Sequence, residues 1–128
     1  MIKFKNEKDK ELFLALHPIL IMIYADLNWY AKLRYNIDLT ITSTVSTISE
    51  DLNLGRTSKS HREFRALDIR TKDINSYIVQ ELVEYINEKK EYQKYHYVSY
   101  GGESRLAFLH TQRGEHIHLS IHSQFKQE

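Results

Sequence analysis

His61 and Asp68 stand seven positions apart in "SKSHREFRALDIR", and "GEHIHLSIH" near the C-terminus sets Glu115 three positions ahead of His118. The chain has no cysteine, so disulfides and thiolate nucleophiles drop out and any metal must be held by histidine and carboxylate. Ligands of one ion lie within about 3–4 Å of each other at their donor atoms. A continuous helix would separate His61 from Asp68 by roughly 10 Å, and a continuous strand by roughly 23 Å. Sharing an ion therefore requires the chain to turn back, with Arg62 to Arg65 as the turn.

A third ligand comes from the far end of the sequence. In an extended strand His116, His118, Ser120 and His122 project to one face. Clustered imidazolium groups repel, so such a face favours neutral rings, a bound metal, or both. Catalytic zinc takes three protein ligands and keeps a position open for water, and a nearby carboxylate can receive that water's proton during attack on a carbonyl. His61, Asp68 and His118 offer three such ligands and Glu115 such a base, a set complete for amide hydrolysis.

These residues resemble the motif of the zinc D-alanyl-D-alanine carboxypeptidases and dipeptidases and of the phage L-alanyl-D-glutamate endolysins. Those proteins group with lysostaphin-type peptidases and the hedgehog signalling domain. The motif runs serine, one residue, histidine, six residues, aspartate, commonly with alanine two before the aspartate, and ends in Glu-x-x-His on a strand. Ser58-Lys59-Ser60-His61, Ala66 and Asp68 answer to its first half, and Glu115-His116-Ile117-His118 to its second. The similarity spans roughly Leu39 to His122.

The resemblance implies zinc as cofactor, His61, Asp68 and His118 as its ligands, and Glu115 as general base. His116 is a second candidate for proton transfer, because related peptidases use the first histidine of a His-x-His; by strand parity it shares the face of His118. Glu115 reaches that face only where the strand start bends or bulges. Ser58 is implied as a site-shaping residue. The implied substrate is the peptidoglycan stem peptide and the implied origin a phage or prophage. Two positions depart from the pattern: Phe64 stands where many members have glycine, and Ser46 where many have an arginine that steadies the substrate. Arg56, Arg65 and Arg70 are the nearest replacements, and Arg56 is taken as the substrate-binding one. The same fold group includes zinc domains without turnover, so the alternative is an inactive zinc-containing wall-binding or structural domain.

The 128 residues suit a single domain, 1–128, with a modest core. Eighteen basic and seventeen acidic residues nearly cancel, which selects neither nucleic acid nor an anionic membrane. The apolar run from Leu12 to Leu27 is interrupted by His17, Pro18 and Asp26 and falls short of the ~20 residues of a spanning helix, so no membrane insertion is expected. Acidic Glu7, Asp9 and Glu11 argue against a signal peptide. Synthesis in the cytoplasm and action on the cell wall are expected. A two-histidine phosphoesterase needs two His-apolar-Ser/Thr-apolar motifs, and only His118-Leu119-Ser120-Ile121 is present. His17, His96, His110 and His122 are read as surface or hydrogen-bonded residues.

The elements that must position the site follow from periodicity. Leu16 to Arg34 carries a helical stripe with Pro18 in its first turn. Ile37 to Thr44 alternates as a strand with Ile37, Leu39 and Ile41 inward. Ser46 to Ser60 reads as a loop with a short helical turn capped by Ser49. Arg65 to Thr71 is a strand, and Asn75 to Glu91 a helix capped by Asp73 or Asn75. Three strands follow, joined by turns at Gly101-Gly102 and around Gly114. The predicted fold is α+β: two helices packed on a small antiparallel sheet that ends in a meander, with the zinc site on the sheet.

Overall fold

The computed structural model describes residues 2–98, 102–111 and 114–125. A short strand β1 (Lys3–Phe4) leads into helix α1 (Glu7–Leu12), and the long helix α2 runs over Pro18–Tyr35. Pro18 occupies the first turn of α2, where its missing N–H leaves nothing unsatisfied. His17 Nδ1 accepts the Ile19 amide at 3.1 Å and so caps the same end. Asn36 closes the other end at φ 56, a left-handed conformation asparagine tolerates. Leu20, Ile23, Tyr24, Leu27 and Ala31 form the buried stripe. Tyr24 donates to the Leu39 carbonyl and Asn28 accepts the Leu39 amide, which fixes the chain leaving α2 against the helix.

Strand β2 (Thr40–Ser43), helix α3 (Ile48–Asn53), strand β3 (Ala66–Arg70) and helix α4 (Ser76–Glu88) follow. The chain then forms strands β4 (Tyr97–Val98), β5 (Ser104–Arg105), β6 (Ala107–His110) and β7 (His116–Ser120). Five strands make one sheet in the order β1-β2-β3-β7-β6, parallel only at β1–β2, while β4 and β5 pair apart from it. Alternation sends Leu67, Ile69, Ile117 and Leu119 into the helix-side core. The opposite face carries Asp68, Arg70, His116 and His118. Valines 79 and 83, Leu82 and Ile86 of α4 close the core beside α2.

The α+β class agrees with the sequence, and three local expectations need correction. The C-terminal strands do pair antiparallel in chain order, β4 with β5 and β6 with β7, but β4 and β5 stand apart from the main sheet, in which β7 lies between β3 and β6. Thr47 rather than Ser49 caps α3, in a capping box with Glu50. The α4 helix stops at Glu88 because Lys89 turns extended, and its ammonium joins Tyr85 and Tyr92 on the Asp26 carboxylate. Asn75 is the α4 cap. The N-terminal β1 and α1 were not anticipated. The turn at Gly101-Gly102 and the one before Gly114 fall in part outside the described residues.

Candidate metal centre

His61 sits at the start of a tight turn that hands the chain to β3. The turn spans Ser60 to Phe64, overlapping the Arg62 to Arg65 stretch where the spacing argument placed it, and Phe64 takes φ 62 within it. That left-handed conformation is the physical reason glycine suits this position, and here a phenylalanine adopts it. Backbone bonds hold the turn: Glu63 N–H to the Lys59 carbonyl, Phe64 N–H to the His61 carbonyl, Arg65 N–H to the Ser60 carbonyl, and His17 N–H to the Phe64 carbonyl at 2.9 Å. Asp68 comes from the middle of β3 and pairs in register with His118 on β7.

These three residues are 2, 6 and 9% exposed, and one candidate ligand atom from each lies within 4.8 Å of the others. Asp68 Oδ1 is 3.0 Å from His118 Nδ1 and 3.3 Å from His61 Nε2. The His61 tautomer follows from its partner: a carbonyl only accepts, so Nδ1–H donates to Thr44 O at 2.6 Å. The inner Nε2 is buried and without a hydrogen-bond partner. An imidazole whose outer N–H is bound to a carbonyl while its inner nitrogen is orphaned toward a carboxylate has the arrangement of a metal ligand. Histidine and carboxylate donors suit zinc. The residues present fit the group.

Electrostatics agree with the geometry. Burial alone would raise the Asp68 carboxyl, but the adjoining His61 and His118 imidazoles outweigh it and hold the group well below the ordinary carboxylate range. Burial pushes the His118 imidazole down to about 4 against the pull of Asp68, so that ring is neutral at pH 7. A neutral imidazole and an ionised carboxylate are the forms that bind metal.

The other predicted site residues are distributed unevenly. Arg56 lies at the site: Nη2 is 3.2 Å from both Asp68 Oδ2 and Ser43 Oγ, and Nη1 is 3.3 Å from Asp51 Oδ1. A β-bulge between Ile41 and Ser43 puts Ser43 opposite Asp68. Arg65 is turned away, bonded to the Ile121 carbonyl and Glu63. His116 lines the hollow with its Nε2 3.8 Å from Asp68 Oδ1. Glu115 is exposed just before β7 and lines an adjoining hollow that also touches Asp68 and His116. By strict count Lys59, not a serine, stands two before His61. Ser58 donates to Ser60, whose hydroxyl lies 3.4 Å from His118 Nε2. Ser60 is thus the serine that touches a candidate ligand, and Ser58 reaches it only through Ser60.

Three participants escaped sequence reasoning. His110 stacks on His118 with centroids 5.0 Å apart and meets His116 edge-on at 5.4 Å. A hairpin centred near Gly114 sets His110 opposite His116, so the signal existed in the turn. Asp51 is a buried hub for Ser46, Arg56 and Arg62. Asp9, also buried, accepts both the amide and the hydroxyl of Thr44 at 2.8 and 2.7 Å. No short-range pattern announces either carboxyl. Comparison with protein-family models, curated proteins and solved structures finds no match to this chain.

Proposed function

We propose that this protein is a zinc-dependent peptidase that cleaves amide bonds in peptidoglycan stem peptides. The observation that carries the reading is the buried His61, Asp68 and His118 trio with the orphaned Nε2 of His61. The two half-motifs that resemble the D-alanyl-D-alanine peptidases and L-alanyl-D-glutamate endolysins supply the substrate class. Bound by the trio, zinc would contribute Lewis acidity toward a carbonyl and toward water.

The chain's own groups do the rest. Glu115 takes the proton of the attacking water and passes it to the leaving amine as the carbon–nitrogen bond breaks, with His116 the second candidate for that transfer. Arg56 stands in for the arginine missing at Ser46, since its guanidinium edges the hollow and can steady developing negative charge. Ser46 itself donates to Asp51, which in turn holds Arg56. An inactive wall-binding domain is the second reading, motivated by Ser46 and by the exposed position of Glu115.

The deciding experiment measures metal content of the purified protein together with amine release from peptidoglycan, with and without chelator. One zinc per chain and chelator-sensitive release are expected. Zinc without release selects the binding domain, and no metal refutes the trio as a site.

A further inference from the structure

Beside the metal face lies a second feature of the same cleft, and its interpretation rests on the peptidase reading. Arg70 follows Asp68 by two residues on the same face of β3, about 7 Å farther along the strand, and pairs in register with His116. A hollow of about 520 Å³ runs from there toward β1 and α1, sharing Arg56, Asp68 and His116 with the metal-side hollow. The two hollows meet over Asp68, so a bound chain has room on both sides of it.

The charges in the second hollow do not cancel. Lys8 is committed to Glu50 at 2.7 Å and Arg56 to Asp51 and Asp68. Asp9 is turned to Thr44. What remains are Lys5, Arg70 and Lys72, which form no ion pair among the described residues, against two acids, Glu115 and the buried Asp9, whose Thr44 partners are neutral. Uncompensated cations along a concave wall concentrate anions there.

We propose that this groove binds a carboxylate-bearing segment of the substrate peptide beyond the residue whose amide is cut, with Arg70 and Lys72 as its main contacts. A guanidinium and an ammonium can each give charge-assisted hydrogen bonds to a carboxylate. A chain occupying both hollows must be longer than a dipeptide, so the groove selects an acidic stretch of stem peptide over free D-alanyl-D-alanine.

Calorimetric binding to the zinc-loaded protein tests this without requiring turnover. The probes are a synthetic stem peptide with a free α-carboxylate on its D-glutamyl residue, the same peptide with a carboxamide there, and the free dipeptide. The carboxylate form is expected to bind about tenfold more tightly than the carboxamide, with the dipeptide weakest. Arg70→Ala with Lys72→Ala should erase the difference, and Lys72→Ala alone, at an exposed position, should reduce it. Equal affinity for the first two peptides, no binding of either, or a dipeptide that binds as tightly as the stem peptide overturns the proposal. Carboxylate-dependent binding without hydrolysis keeps the groove and removes the peptidase reading; hydrolysis indifferent to the carboxylate does the reverse.

Discussion

Phe64 shows how one residue can be chosen against its backbone preference. A non-glycine residue at positive φ costs roughly 1–2 kcal/mol, yet the half-buried ring and the His17 bond to its carbonyl keep the turn in place. Alanine and glycine both remove the ring, and only glycine is free at this φ. Phe64→Gly is therefore expected to be about 1 kcal/mol more stable than Phe64→Ala, read by urea unfolding; equal stabilities would mean that the φ carries no strain. For the ligands, His118→Ala should lose both metal and hydrolysis, and stoichiometric zinc in that variant would show the ligand set to be wrong. Glu115→Ala should retain zinc and lose hydrolysis by a factor of order 10²–10⁴. A wild-type rate in Glu115→Ala, with the loss transferred to His116→Ala, reassigns the proton carrier.

Two short helices, not the long ones, hold two of the candidate ligands. Helix α1 presents Asp9 to Thr44, whose carbonyl orients His61. Helix α3 presents Asp51 to Arg56, whose other nitrogen holds Asp68 Oδ2. His61 and Asp68 thus each hang from a buried carboxyl one element away. Removing Asp9 leaves the amide and hydroxyl of Thr44 unsatisfied, a cost of about 1–3 kcal/mol, and frees the carbonyl that orients His61. Outer partners of metal ligands are commonly worth 10- to 100-fold in affinity, so Asp9→Ala should weaken zinc binding by about that much in a chelator competition. Asp9→Asn, which keeps an acceptor oxygen, should recover part of it. Unchanged zinc affinity in Asp9→Ala would reduce this chain of contacts to a structural one.

Across the whole molecule, the face opposite the site is tied by Asp26, which accepts from Tyr85, Tyr92 and Lys89 and so joins α2 to α4 and the turn beyond it. Burial would raise the Asp26 carboxyl, but these three donors lower it below its ordinary value. A depressed carboxyl contributes stability that is complete above the ordinary carboxylate value of about 3.9 and is lost as pH falls through the lower folded value. Asp26→Asn should therefore lower Tm at pH 7 and flatten its fall on the acid side; an unchanged acid slope would assign that slope to other carboxylates. Zinc held by the trio would act on the same balance. At a hundredfold excess over its dissociation constant it should add about 2.7 kcal/mol, seen as a rise in Tm that chelator reverses and that His61→Ala abolishes.

What the sequence by itself determined is whatever depends on spacing within one segment. Periodicity gave α2, α4, β3 and β7, and an ion shared by His61 and Asp68 would require the chain to turn back between them. Strand parity put His116 with His118 and placed Arg70 on the face of Asp68. What only the tertiary structure decided is everything set by long-range register: β7 inserted between β3 and β6, β1 added to the sheet edge, and His110 stacked on His118. It also decided which of the seventeen acidic residues are buried as anchors, since Asp9 and Asp51 differ from their exposed neighbours only in what packs around them. Local sequence encodes the direction a side chain takes from its own backbone, while the partner it meets there is fixed by elements folded in from tens of residues away.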